Sequence, residues 1–416
     1  MSQNKTSHAG AINKKTVAVF FGGRSPEHDV SVISALQALQ ALDQALYNPL
    51  PVYIAPNGAW YVGDLLKKRE NYLLSEERIK HLTEVTLDVS GARGGVLIPK
   101  KQPLFGAAKP IPFHVAIPAF HGLYGEDGNM QGVFELANIP YTGMRTKASA
   151  LLMDKVTTKY FLNAIDVPAL PFAVLKRPDQ GYLIAEDILE EKLKSVGFPC
   201  IIKPSHLGSS IGVAKVDNVE QAKASLPAIF EFDDVAIAEP FVENLVEYNV
   251  SIARIAGKVE TSAIERPKAS DELLDFKQKY MSGGDDKGGS KMSGNKTFST
   301  ASEGMLSLTR EINPDLPAKT EQNIRDWSAR MFEAIDGTGA ARIDFIGNSE
   351  TGEIWMNEVN PCPGSFAYFL WEAASNPLLF TDLLSALIAE AMSENASRSL
   401  PYDPVPPDAR LLKRNI

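Results

Sequence analysis

One stretch constrains this chain more than any other: residues Ala341 to Gly364, ARIDFIGNSETGEIWMNEVNPCPG. ARIDFI alternates, with Ile343 and Phe345 on one face and Arg342 and Asp344 on the other, the period of a half-buried strand. GNSETG supplies turn residues and EIWMNEVN resumes the alternation, so the stretch reads as a hairpin. Glu358 and Asn360 are two apart and share a face. Paired antiparallel, the strands bring Arg342, Asp344, Glu358 and Asn360 to one surface. Two carboxylates and an amide oxygen are hard oxygen ligands of the kind Mg2+ takes beside phosphates, here with a cation next to them. A hairpin with a solvated polar face shows the same pattern, and the spacing alone leaves both readings open.

The remainder reads as an α/β protein. From Thr16, TVAVFFGG is a continuous apolar run ending in glycines, as in a buried parallel strand that enters a tight turn. Helical spacing follows from Val30 to Leu42, a Rossmann-like start with a helix N-terminus open to polar ligands. GGRSPEHD is not GxGxxG, so no dinucleotide fingerprint is present. NPLPVYIAPNGAWYVG reads as strand, turn and strand, and residues 64–110 carry little pattern. HVAIPAF from His114 is another buried strand. The loop after it, around Glu126 and Asp127, sits where open α/β sheets place ligands. GNMQGVFELANI is a short amphipathic helix.

KASALLMDKVTTKYFLNAI reads as one helix, VPALPFAVL as extended chain, GYLIAEDILEEKLKSV as a helix and FPCIIKP as a strand. In KPSHLGSSIGVAKV a Gly/Ser loop between two strands exposes backbone N–H groups and hydroxyls with Lys203 at its base. That arrangement suits polyphosphate. It lacks GxxxxGKS/T, and a flexible surface hairpin has the same look. AIAEPFVENLVEYNVSIARI opens a further unit, with Glu239 ahead of an apolar stretch. Residues 281–296, MSGGDDKGGSKMSGNK, read as a flexible loop or lid. After Gly364, SFAYFLWEAASNPLLFTDLLSALIAEAM reads as helical and apolar.

Composition narrows the class. A chain of 416 residues, 44% hydrophobic and 22% charged, can fill two or three domains. A net charge of -9 without a long basic run argues against nucleic-acid binding as a main role. Cys200 and Cys362, the two cysteines, show neither ligand spacing nor a disulfide framework, which fits a reducing compartment. The segment MSQNKTSHAGAINKK has no apolar core and reads as a disordered leader, and no apolar run is long enough for a bilayer. The expected location is cytoplasmic.

With these residues laid out, the chain resembles the D-alanine–D-alanine ligases of the ATP-grasp superfamily. The likeness runs from about Thr16 to Leu387 and is carried by GGRSPEHDVS, HGLYGEDGNMQGVFELANIPYTG, ASALLMDK, KPSHLGSSIGV, KQKY, ARIDF and NEVNPCPG, in the family's order. The resemblance implies an α/β three-domain ATP-grasp fold: a Rossmann-like N-terminal substrate domain over 16–143, a central subdomain over 144–244 and a C-terminal domain over 245–396. ATP lies between the last two, a lid covers 281–300, and 397–416 is a tail.

By resemblance, Lys155 and Lys203 contact the nucleotide phosphates, and Gly208, Ser209 and Ser210 close over them. Glu239 meets the adenine amino group, Phe241 and Val242 offer hinge contacts, Glu247 takes the ribose, and Asn357 also lines the nucleotide site. Asp344, Glu358 and Asn360 hold two Mg2+ ions, with Mn2+ as a substitute. Glu27 accepts the first amino acid's ammonium and His121 positions substrate. Arg342 and the Gly364 N–H stabilise the tetrahedral oxyanion. Lys279 contacts the reacting phosphate, while Tyr280, Glu27 and Ser209 form a triad that fastens the lid. The implied partners are small molecules, with no nucleic acid or membrane, and a second copy in a homodimer.

The match departs at one place. The family continues NxxPG with a Thr/Ser-rich loop whose serine binds the acceptor's carboxylate, whereas here NPCPGSFAYFLWEAA is several residues shorter. Ser365 and Tyr368 are the nearby hydroxyls. The expected function is ATP-dependent joining of two D-alanine molecules through an acyl phosphate, for peptidoglycan precursor synthesis. The alternatives are the same chemistry on a different acceptor amine and a non-catalytic ATP-binding module. The Lys279–Tyr280 pair speaks against a depsipeptide-forming ligase.

Overall fold

The computed structural model describes residues 14–72, 74–90, 94–101, 108–208, 211–268, 310–398 and 405–411. In chain order the first elements are β1 (Lys15–Gly22), α1 (His28–Ala41), β2 (Tyr47–Ile54), β3 (Trp60–Val62), α2 (Glu76–Ile79), β4 (Thr83–Leu87), β5 (Gly95–Pro99), β6 (Ile111–Phe113), β7 (Val115–Pro118) and α3 (Asn129–Leu136). Their strands form a seven-stranded sheet in the order β6-β5-β4-β3-β2-β1-β7. β1 is parallel to both neighbours, β2 and β7, which explains its unbroken apolar run. Its alternate residues serve two cores. Val17, Val19 and Phe21 pack on one face, while Ala18 and Phe20 pack on the other against Val52, Phe113 and Phe134.

The weakly patterned segment after Gly63 holds two 3-10 turns, α2, β4 and β5. β1 ends where its residues must: a Cβ on Gly22, at φ +92°, would stand 2.3 Å from the Ile54 carbonyl oxygen. The freed Gly22 N–H donates to Ser31 Oγ at 2.8 Å, and Ser31 in turn donates to the Ala119 carbonyl. These bonds dock the start of α1 on the carboxyl ends of β1 and β7.

Next come α4 (Thr146–Met153), α5 (Lys155–Ala164), β8 (Ala173–Lys176), α6 (Glu186–Leu193), β9 (Cys200–Pro204), β10 (Ala214–Val216), α7 (Val219–Phe230) and β11 (Val235–Pro240). The run expected as one helix is two, because Asp154 is extended (φ -88°, ψ 108°) and its carboxylate caps α5 by accepting from the Val156 N–H. The four strands make an antiparallel sheet, β10-β9-β11-β8. Its core is built with α6 and α7. α4 and α5 belong elsewhere: Ala148, Leu152 and Leu162 pack with Ile343, Phe345 and Met356 in the core of the third sheet. The segment 144–244 thus contributes to two cores.

The third sheet uses β12 (Leu245–Ile255), β13 (Lys258–Pro267), β14 (Arg310–Ile312), β15 (Ala340–Asn348) and β16 (Ile354–Asn360) in the order β14-β13-β12-β15-β16. α8 (Ala318–Ala334) covers it with Ile324, Met331 and Phe332. The apolar run after Gly364 is not one helix. A 3-10 turn (Gly364–Ala367) leads into α9 (Tyr368–Glu372), and Pro377 precedes α10 (Phe380–Arg398), since the residue before a proline avoids the helical region. Leu383, Leu384, Leu387 and Ile388 of α10 return to the first sheet and pack with Val17, Val19 and Ile117. Among the described residues no helix is long and apolar enough to cross a membrane.

α10 is therefore the closure of the first core. Leu384→Ala, at a fully buried position, is expected to cost about 2–5 kcal/mol. The urea midpoint should fall with the slope unchanged; an unchanged midpoint would refute this packing role.

Candidate active site

The hairpin that opens the sequence argument is β15 paired antiparallel with β16, and Asp344 lies directly opposite Glu358, with Arg342 opposite Asn360. The register shifts between Asp344 and Phe345, so Asn357 is an extra residue on β16. Such a bulge re-aims side chains. Here Asn357 Oδ1 accepts from Lys203 Nζ at 3.2 Å. Arg342 grips Asp344 with two parallel bonds, Nε to Oδ1 and Nη2 to Oδ2, each 2.6 Å. Asn360 Nδ2 adds a third bond, to Asp344 Oδ2 at 2.9 Å.

Carboxylates directly opposite on a ladder repel, so this pair needs positive charge beside it. Arg342 supplies it on one side, and Lys155 Nζ lies 3.6 Å from Glu358 Oε2 on the other. The donor set fits Mg2+: two carboxylates and an amide oxygen, partly exposed, with lysines ready for phosphate oxygens.

One lysine comes from the capped helix α5 and the other from β9. Asp154 ends α4, accepts from Val156 N at 3.0 Å and is bonded by Ser205 Oγ, so the start of α5 is tied to the strand end that carries Lys203. Burial pushes the Asp154 carboxyl up, but the bonds from Ser205 and Thr157 and the nearby His206 outweigh this and hold it below its ordinary value. Lys155 Nζ donates to the Leu207 carbonyl at 2.6 Å, at the foot of the Gly/Ser loop. Lys203 Nζ pairs with Glu239 Oε2 at 2.6 Å, and Lys159, one helical turn beyond Lys155, pairs with Glu239 Oε1. Burial works against the Glu239 charge, but Lys203 and Lys159 hold the carboxyl at about 2. Phe241 N donates to the Pro199 carbonyl and the ring lies 3.8 Å below Lys215 Nζ. Val242 follows it, and Glu247 is half-buried on β12 opposite Ile346.

The loops that follow β1 and β7 meet this set of residues. The Glu27 carboxylate lies between two glycines: a Cβ on Gly122 would be 2.7 Å from its Oε2, and one on Gly208 3.4 Å from its Oε1. A side chain at either position would crowd it. His121 is buried, with Nε2 2.8 Å from Ser34 Oγ. Burial drives its pKa down to about 4, so the imidazole is neutral at neutral pH. Ser34 Oγ also accepts from the Ser365 N–H at 2.9 Å. Glu126 accepts from Gly122 N at 2.6 Å and from Cys362 N at 3.0 Å, joining the first domain to the loop after β16. Burial and the neighbouring Glu27 charge push its carboxyl up to about 8.

In the divergent loop the two candidate hydroxyl residues part company. Ser365 sits at φ +53° beside Ser34. Tyr368 stacks on Phe380 with centroids 4.7 Å apart, against the core that α10 closes. Space beside Gly364 is open, with nothing within 4 Å of a Cβ built there. Phe369 lies under Arg310, whose guanidinium is 4.7 Å from the ring centroid.

Ser209, Ser210, Lys279 and Tyr280, and the expected lid 281–300, lie outside the described residues. The structure brings Glu27, Lys155, Lys203, Gly208, Glu239, Arg342, Asp344, Asn357, Glu358 and Asn360 into one linked set of contacts. It adds Ser34, Glu126, Asp154 and Lys159, which the sequence reading had not assigned to the site. Lys159 had a signal, its i+4 spacing from Lys155; Ser34 had none beyond its place on α1.

Residues 16–144 match the family model described as D-ala D-ala ligase N-terminus, and 161–389 the one described as D-ala D-ala ligase C-terminus. The chain is 31% identical to a D-alanine–D-alanine ligase of Heliobacterium modesticaldum, covering 93% of this chain and 99% of the relative. It is 29% identical to one from Enterococcus faecalis, covering 91% and 99%. Among solved structures, the D-alanine-D-alanine ligase from Coxiella burnetii shares the fold (TM-score 0.71, 22% identity, 92% and 96% covered). The VanG D-Ala:D-Ser ligase from Enterococcus faecalis does likewise (TM-score 0.69, 25% identity, 91% and 100% covered). The architecture is that of the ATP-grasp class, and the enzyme class is ATP-dependent ligase. Within that class, the chain belongs to the D-alanine–D-alanine ligase family.

The Glu126 contact has a pH signature. A carboxyl raised to about 8 keeps in the folded state a proton that the unfolded chain, with a value of 4.5, gives up. Wild-type stability relative to Glu126→Gln should therefore fall as pH rises from 4.5 towards 8. Urea midpoints of both proteins across that range check it, and a flat difference would contradict the assignment.

Proposed function

We propose that this protein joins two D-alanine molecules to D-alanyl-D-alanine with hydrolysis of ATP to ADP and phosphate, through an acyl phosphate, for peptidoglycan precursor synthesis. The observation that carries the reading is the meeting of three charge sets in one cleft: Arg342 with Asp344, Glu358 and Asn360; Lys155 and Lys203; and Glu27 against Gly122 and Gly208. A carboxylate is a poor electrophile, and phosphorylation turns it into a good one. Asp344, Glu358 and Asn360 would hold Mg2+, which would supply charge neutralisation on the transferring phosphoryl group.

The chain's own residues do the rest. Glu27 takes the ammonium of the first D-alanine, and neutral His121, fixed by Ser34, lines its pocket. Lys155 and Lys203 neutralise phosphate oxygens, and Glu239 accepts from the adenine amino group. The second amine attacks the acyl phosphate. Arg342 and the Gly364 N–H stabilise the oxyanion of the tetrahedral intermediate before phosphate leaves. Exclusion of water, which otherwise hydrolyses the acyl phosphate, is the role proposed by resemblance for Lys279, Tyr280 and Ser209, which lie outside the described residues. The protein works in the cytoplasm as a homodimer; light scattering after gel filtration tests the dimer.

A second reading keeps the chemistry and changes the acceptor. It is favoured by the loop itself: the Tyr368 ring stacks on Phe380 and Phe369 lies under Arg310, so of the two candidate hydroxyl residues, Ser365 and Tyr368, one has its ring packed into the core beside the loop. Phosphate release from Mg-ATP with D-alanine alone, with products identified by mass spectrometry, separates the two. D-Ala-D-Ala in quantity supports the first reading. Phosphate release without dipeptide overturns it and supports the second. No turnover at all overturns both.

For the oxyanion role, Arg342→Ala is expected to lower kcat by about 100-fold or more, on the scale of losing one oxyanion donor. ATP binding, read by fluorescence of a nucleotide analogue, should survive. Unchanged ligation by the variant would remove Arg342 from the mechanism.

A further inference from the structure

Glu239 is held by two lysines that differ in kind. Lys203 on β9 is partly exposed and also bonds Asn357, so it faces the cleft where phosphates bind. Lys159 on α5 is 1% exposed and 3% of Glu239 is accessible, so their ion pair is sealed from water. Lys155 and Lys159 share one face of α5, the first reaching Leu207 and Glu358 and the second Glu239. Glu358 on β16 is the further charge felt by both Lys159 and Lys203. A bound polyphosphate competes for Lys203. Lys159, behind the carboxylate, has no such competitor.

We propose that Lys159 is a positioning residue that keeps Glu239 an acceptor-only carboxylate and so selects adenine over 6-oxopurine nucleotides. The inference rests on the reading of Glu239 as the residue facing the base. An ionised carboxylate offers only acceptors, whereas a protonated one also donates. Adenine presents an amino donor at its six position, and hypoxanthine or guanine presents a carbonyl acceptor there. An ionised Glu239 therefore attracts the first and repels the second. Without Lys159 this buried carboxylate shares a single ammonium with the phosphates. Burial then favours its protonated form, which accommodates the oxo group.

The test compares kcat/KM for ATP and ITP, by phosphate release with D-alanine, in the full-length protein and in Lys159→Met, Lys159→Arg and Glu239→Gln. The ATP-over-ITP ratio should fall by about 10-fold in Lys159→Met, the scale of one base-edge hydrogen bond. It should fall further as pH is lowered, and Lys159→Arg should restore it. Equal loss for both nucleotides with a pH-independent ratio would overturn the proposal. A ratio unmoved in Glu239→Gln would overturn it together with the base-facing reading. A ratio moved in Glu239→Gln but not in Lys159→Met would overturn the role of Lys159 alone. If Lys159→Met is inactive, thermal-shift midpoints with ATP and ITP read the same preference, and Lys159→Gln replaces it should it fail to fold.

Discussion

The opposition of Asp344 and Glu358 across one strand pair is the constraint on which the site depends. Two carboxylates on adjacent strands, backed by Ile343, Phe345 and Met356 in a closed core, cannot relax apart without moving the sheet. Their repulsion must be answered by cations, and the chain brings those from three elements. Arg342 comes from the same strand, Lys155 from a helix started by Asp154, and Lys203 from the neighbouring sheet through Asn357. Each cation thereby links a different part of the fold to the same hairpin. The packing of α4 and α5 on this sheet gives the linkage its rigidity, since the helix that supplies Lys155 and Lys159 shares a core with the strands that supply the acids.

A second junction closes the cleft from the other side. Glu126 accepts backbone N–H groups from both the Gly122 loop and the chain after β16, and Ser34 Oγ bonds the His121 imidazole while accepting from the Ser365 N–H. Both are buried polar links. Such groups are costly when unpaired and specific when satisfied. Together with α10, which returns to the first sheet, they hold Glu27 against Gly208. The meeting of Glu27 and the Gly/Ser loop thus rests on contacts made by residues outside that pair.

How much of this could be read in the sequence follows from the range of each interaction. The hairpin's faces were legible because alternation is local: Arg342 and Asp344 must share a side whatever the rest does. Its bulge was not, since a one-residue shift at Asn357 depends on how β16 meets β15. The helix over the MDK segment read as continuous because its apolar spacing continues through Asp154. What breaks it is a cap completed by Ser205, about fifty residues away. Lys159 was not singled out for the same reason, because its partner Glu239 arrives from another sheet. The run after Gly364 misled in another way: its apolar content marked burial, while Pro377 and the turn at Gly364–Ala367 decide where helix is possible.

That turn is also unusual in its backbone. Ser365, Phe366 and Ala367 have φ of +53°, +57° and +49°, a left-handed region that costs non-glycine residues roughly 1–2 kcal/mol each. Three in succession persist only when their surroundings over-determine them. The surroundings do so: Phe366 is buried beside Phe380, its N–H donates to Pro363, and Ser365 is bonded to Ser34. The strain is thus held by α1 through Ser34 and by α10 through Phe380. The chain reverses here within the four residues Gly364–Ala367, and left-handed geometry is a way to do so. The exit from the turn delivers Tyr368 to Phe380 and Phe369 to Arg310. On the proposed reading, the backbone turn that places the Gly364 N–H is therefore also what sets which side chains stand beside the acceptor.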